Sequence, residues 1–178
     1  NDWETNTNRY ANEAGLYEDL GNVGVSDPIS RDDAAQMAYN AIQAKLMERT
    51  WSQNQTTGQI TEGYELSREG KTLLSERFGG KIYIGTFLAN SETSSGMRDG
   101  EIQVNGFLTT EDVKENDKPH TAFLPSDLDI SNLGEEVKVI FKDGTSGTKN
   151  IPDRNDTIYG VFNTGATQVL NTTVDTIN

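Results

Sequence analysis

Gly79-Gly80-Lys81-Ile82-Tyr83-Ile84-Gly85-Thr86-Phe87-Leu88-Ala89 is the stretch on which the fold turns. Upstream of it, apolar residues recur at helical spacing. Downstream, they alternate with period two. Lys71 to Phe78 reads as a short helix with Leu73, Leu74 and Phe78 toward a core. The Gly79-Gly80 pair ends that helix, because glycine takes the left-handed cap conformation without a steric penalty. The β-branched and aromatic residues that follow favour a strand.

Working outward toward the C-terminus, Glu101 to Leu108 alternates polar and apolar residues, and Thr121 to Leu124 is a short strand candidate. Glu135 to Lys142 is another, closed by Asp143-Gly144, a hairpin signal. Thr157 to Phe162 and a terminal run Thr167-Gln168-Val169-Leu170 follow. Ser91 to Gly100 and Glu111 to Pro119 read as loops. Several short strands with no long helix between them predict an antiparallel β-sandwich or small β-barrel. Ile82, Ile84, Val104, Val137, Val139, Phe141, Ile158 and Val161 are expected among its buried residues.

Toward the N-terminus, Asn6 to Leu20 places Tyr10, Ala11, Ala14, Leu16, Tyr17 and Leu20 near one helical face, with Gly15 as a point where that helix could stop early. Gly21 to Pro28 is a turn-rich connector. Arg31 to about Glu48 is expected to be a second helix, its stripe formed by Ala34, Ala35, Met37, Ala38, Ala41, Ile42 and Leu46. Ser30 stands as its N-cap, with Asp33 three residues on completing a capping box and Asp32 adding charge at the positive end of the dipole. Thr50 to Glu69 reads as a polar linker or extended hairpin, pinned to the helical part by Trp51. The expected class is therefore α+β. Residues 1–50 form a helical unit, 51–79 a linker with a short helix, and 80–178 an antiparallel β-domain.

The totals narrow the function classes. The chain has 178 residues with 15 Lys plus Arg against 28 Asp plus Glu, a net charge of −13. That balance argues against nucleic acid, which needs a basic face, and against an anionic membrane surface. No apolar run approaches the roughly 20 residues of a membrane span. With no cysteine in the chain, disulfides, thiolate catalysis and zinc–sulfur sites are excluded. A hydrophobic content of 33% predicts small cores and long polar connections. The chain begins at Asn1 without an initiator Met or signal-peptide pattern, so the natural protein is expected to extend further.

The run Ile29-Ser30-Arg31-Asp32-Asp33, with the helical segment before it, resembles the S-layer homology module of bacterial surface proteins. In that family an Ile-Thr-Arg-Ala-Glu element opens the second helix and helps bind a cell-wall polysaccharide. The resemblance covers about Trp3 to Leu46, one module where the family usually carries three. Trp3 stands where the family has an aromatic, and Tyr10 and Ala14 match helix positions. The family's aromatic before the motif's proline is missing. Gly85-Thr86-Phe87-Leu88-Ala89-Asn90 and Leu133-Gly134-Glu135-Glu136-Val137-Lys138-Val139 are similar to small β-domains that follow such modules in surface proteins of Gram-positive anaerobes.

The resemblance implies an extracellular, non-enzymatic surface-layer or cell-wall-anchoring protein. Its partners would be cell-wall polysaccharide and other S-layer homology modules or surface-layer subunits. Arg31 would contact the polymer, Ser30 would cap the helix and reach the ligand, and Trp3 would stack on a sugar ring. Read from the residues alone, Arg31 is equally a solvated first-turn residue. No cofactor and no metal are expected. Asp112, Glu115 and Asp117, and likewise Asp153, Asn155 and Asp156, supply oxygen ligands without the EF-hand spacing. The single histidine, His120, reads as a loop residue. The rival readings are an accessory region of a surface hydrolase and an extracellular carbohydrate-binding module with its site on the β-domain.

Overall fold

The computed structural model describes residues 2–21, 28–109 and 118–167. The connector Gly21–Pro28 for the most part, the cluster Asp112, Glu115 and Asp117, and the run after Thr167 lie outside the described residues. The chain divides into two compact units, Asn1–Phe78 and Gly79–Asn178. The class is α+β.

The first unit holds α1 (Asp2–Glu13), α2 (Arg31–Gln43), β1 (Met47–Gln53), β2 (Ile60–Leu66) and α3 (Leu73–Phe78). α1 ends well before Leu20, followed by turns in which Gly15 takes a φ of +74°. α2 stops at Gln43 rather than near Glu48. Lys45 bridges Thr72, the Leu46 N–H donates to the Lys71 carbonyl at 2.8 Å, and the Ser67 N–H donates to the Leu46 carbonyl at 2.8 Å. Those long-range bonds pull the chain into extended conformation one turn before its apolar stripe runs out. The stretch after Thr50 is a hairpin, not a linker. β1 and β2 pair antiparallel, and the Asn54 side-chain oxygen accepts the Thr56 and Thr57 N–H groups at 2.9 and 3.1 Å to close the turn. Thr72 caps α3, its hydroxyl accepting the Ser75 N–H at 3.1 Å.

The second unit is one antiparallel sheet of β3 (Lys81–Asn90), β4 (Glu101–Leu108), β5 (His120–Pro125), β6 (Glu135–Lys142) and β7 (Thr157–Thr167), in the order β5-β4-β3-β6-β7. It is sandwich-like and not a closed barrel, since β5 and β7 are its two edges. Register shifts at Phe87/Ala89, Glu135/Val137 and Ile140/Phe141 mark bulges that bend the strands over the inner face. Asp143-Gly144 does not form a tight hairpin. Residues 143–156 make a long connection that reaches the far edge of the sheet, where Asp153 forms a parallel bridge with Phe123 of β5.

The inner face buries Tyr83, Phe87, Ile102, Val104, Leu108, Ala122, Leu124, Val137, Val139 and Phe141, with Leu128, Ile151, Ile158 and Val161 packed at its rim. Val104, Val137, Val139 and Phe141 are buried as expected. Ile82 and Ile84 are half-buried on the opposite face. Both parities of β3 read apolar. The one that turns inward carries two aromatic rings, which remove more apolar surface from water than two isoleucines.

Gly85 of β3 and Gly106 of β4 stand directly opposite each other. A Cβ on Gly106 would lie 2.0 Å from the Ile84 carbonyl oxygen, so the two backbones come closer than any side chain permits. Beside this contact the buried Tyr83 hydroxyl accepts the Gly106 N–H at 3.1 Å and donates to the His120 carbonyl at 2.5 Å. The phenol thereby links three adjacent strands. Burial pushes its pKa up to about 12, with the Gly106 N–H pulling slightly the other way.

Replacing Tyr83 by Phe leaves the Gly106 N–H without this acceptor in a dry site, and should cost about 1–3 kcal/mol at pH 7 in urea unfolding. The folded protein holds the phenolic proton above the ordinary value of 10.0. The wild type should therefore lose stability as pH rises from about 10 through about 12, and the Phe variant should lose less over that window. Equal stability of the two proteins at pH 7 would contradict the assignment.

Candidate functional site

The start of α2 has the geometry its sequence predicts. Ser30 is extended, with φ −73° and ψ 165°. Its hydroxyl accepts the Asp33 N–H at 3.0 Å and donates to Asp33 Oδ2 at 2.6 Å, while the Ser30 N–H donates to the same carboxylate at 3.4 Å. The capping box is closed. Its closure has a chemical consequence: the hydroxyl's single donor is spent on Asp33, leaving one of its lone pairs for anything else. Ser30 therefore positions the helix start and has little left for ligand contact. Arg31 is the first helical residue and is exposed. Trp3 lies on α1, 70% exposed. Ser30 and Arg31 are neighbours at the start of α2, and Trp3 belongs to a different helix.

Polar groups hold the helical part together. The Asn40 amide donates to the carbonyls of Leu16 and Glu18 at 3.2 and 2.7 Å, and Gln36 donates to the Asn40 side-chain oxygen at 3.0 Å. No residue of α2 is buried, and Ala34, Ala35 and Ala38 of the expected stripe are exposed.

A surface that the sequence reading did not anticipate lies on the β1–β2 ribbon. Met47, Arg49, Trp51 and Gln53 of β1 and Ile60, Glu62, Tyr64 and Leu66 of β2 share one face by register. Trp51 does not pin the ribbon to the helices: it is 62% exposed, and Tyr64 is 52% exposed. Trp51 stands opposite Glu62, and Arg49 opposite Tyr64. Arg49 Nε is 2.8 Å from Glu62 Oε1, the Tyr64 hydroxyl donates to that same oxygen at 3.0 Å, and the Arg49 guanidinium carbon is 5.7 Å from the Trp51 ring centroid. The signal was present in the alternation Met47-Glu48-Arg49-Thr50-Trp51. It was masked because an exposed ribbon puts its apolar side toward water, where alternation is normally read as pointing to a core.

The β-unit holds a shallow cleft of about 270 Å³, where Thr121 and Phe123 of β5 face Ile151, Pro152, Asp153 and Arg154 of the long connection. Arg154 Nη2 pairs with Glu101 Oε1 at 3.0 Å, and the Glu101 side chain is only 8% exposed. That arginine therefore neutralises a buried carboxylate. Asp153, Asn155 and Asp156 are engaged in their own loop: Asp156 accepts the N–H groups of Gly144 and Asp153 at 2.7 and 2.9 Å, and Asp153 accepts that of Asn155 at 2.6 Å. His120 is not in a loop. It opens β5, exposed, with its carbonyl committed to Tyr83.

Comparison with protein-family models, with curated proteins and with solved structures found no match.

Ser30→Ala should cost about 1 kcal/mol of stability in the first unit, the usual loss for an N-cap hydroxyl. Ser30→Asp, which keeps an acceptor at the cap, should recover most of it. Thermal unfolding followed by circular dichroism reads both, and an alanine variant as stable as the wild type would show that the box does not hold the helix start.

Proposed function

We propose that this chain is a non-enzymatic part of a bacterial cell-surface protein, serving surface-layer structure or attachment to cell-wall polysaccharide. The observation that carries the reading is the start of α2: a closed capping box that presents Arg31 to solvent, next to a helical stripe with no buried residue. A guanidinium carries several donors in a rigid fork, suited to the hydroxyl and anionic groups of a polysaccharide. A half-covered apolar helix face suits a module that packs against further modules of its own kind. The resemblance of Ile29-Ser30-Arg31-Asp32-Asp33 to the S-layer homology element points the same way, and an extracellular location goes with it.

The test is co-sedimentation with purified, protein-free cell wall of a Gram-positive anaerobe. The chain alone should bind weakly, and a longer protein carrying additional modules should bind more tightly. Arg31→Ala should lower the bound fraction several-fold in both, while Arg77→Ala, at an exposed position of α3, should not. Binding unchanged by Arg31→Ala would remove the attachment role from α2.

A further inference from the structure

The exposed face of the β1–β2 ribbon is built in a way that the attachment reading does not explain. A two-stranded ribbon is marginal by itself in water, and leaving Trp51, Tyr64 and Ile60 on its bare side forgoes the burial that would stabilise it. The four central side chains form a checkerboard. Trp51 and Tyr64 lie on one diagonal, Arg49 and Glu62 on the other. Diagonal neighbours on an antiparallel pair are about 7–8 Å apart, so the two rings flank the ion pair that crosses between them.

The polar pair decides what that surface fits. Arg49 and Glu62 are hydrogen-bonded to each other, Tyr64 adds a third bond, and the guanidinium lies over the Trp51 ring. Each group is thus fixed before any partner arrives, which lowers the ordering cost of binding. The charges cancel locally, so the patch steers neither a polyanion nor a polycation. An apolar protein surface laid over it would have to desolvate a formed ion pair, which is costly. A pyranose ring has a C–H face for the indole and a rim of hydroxyls. Those hydroxyls can use the N–H groups of Arg49 and the lone pairs of Glu62 that the pair leaves open.

From this arrangement we infer that the ribbon is a neutral-glycan platform: Trp51 stacks on a sugar ring, Tyr64 supports the neighbouring unit, and Arg49 with Glu62 orients the hydroxyl rim. The inference shares the polysaccharide class with the attachment reading but uses none of its residues.

The experiment is titration of the full chain with N-acetylglucosamine tetramer and with cellotetraose, read by the Trp indole N–H resonances in two-dimensional NMR. Trp3→Phe assigns the Trp51 signal. The Trp51 resonance is expected to move in a saturable way with one of these glycans at millimolar concentration. Trp51→Ala should weaken binding at least about tenfold, Trp51→Tyr should restore part of it, and Arg31→Ala should leave it unchanged. Glu62→Gln, which keeps the fold of the ribbon but breaks the charge pair, should weaken binding several-fold. No movement of Trp51 with either glycan, or equal affinity of wild type and Trp51→Ala, overturns the inference. So does self-association of the free chain that Trp51→Ala abolishes, which would assign the face to a second copy. Loss of cell-wall binding with Arg31→Ala alongside an unresponsive Trp51 would leave the attachment reading standing and remove only the platform.

Discussion

The close approach of β3 and β4 at Gly85 and Gly106 is the constraint on which the β-unit depends. Neither position tolerates a Cβ: one added at Gly85 would lie 2.5 Å from the Asn105 carbonyl oxygen, and one at Gly106 closer still to that of Ile84. The absence of both side chains lets the two backbones approach there. The Tyr83 phenol then spans the backbone groups of Gly106 and His120, tying β3, β4 and β5 together from the core side. The rest of the inner face, from Phe87 to Phe141, packs around that point.

The switch from helix to sheet at Gly79-Gly80 was legible in the residues, as were β4, β6 and the capped start of α2, because each rests on local chemistry. The bounds of α2 were not legible. Its apolar stripe continues past Gln43, but hydrogen bonds from Leu46 to residues more than twenty positions away win over local helical preference. The parity of β3 was also hidden. Lys81-Ile82-Tyr83-Ile84-Gly85 is apolar on both faces, and the parity is decided by the packing of Tyr83 and Phe87 against residues of the neighbouring strands, which the local sequence does not contain. Of the candidate site, Ser30 and Arg31 stood where the sequence placed them. The Arg49–Glu62 pair joins positions thirteen apart, a meeting that needs the register of a hairpin whose existence the sequence left open.

The two units stabilise themselves by different means. The β-unit has a core in which three aromatic rings and a set of branched side chains are fully buried. The first unit buries only Leu74 and Ser67 among its described residues, and relies on amide and carboxylate hydrogen bonds at its surface. A unit of that kind leaves side chains available for contact instead of consuming them in a core. Arg31 at the start of a helix and Trp51 on a ribbon are both presented to solvent in that way.

Amide hydrogen exchange on the whole chain tests this division most directly. The Gly106 N–H and the paired amides of β3, β4 and β6 should exchange only through global unfolding of the β-unit. Those of β1 and β2 should open locally and exchange orders of magnitude faster. Ribbon amides as slow as those of β3, or a Gly106 amide that exchanges freely, would contradict both the bare ribbon and the phenol bridge.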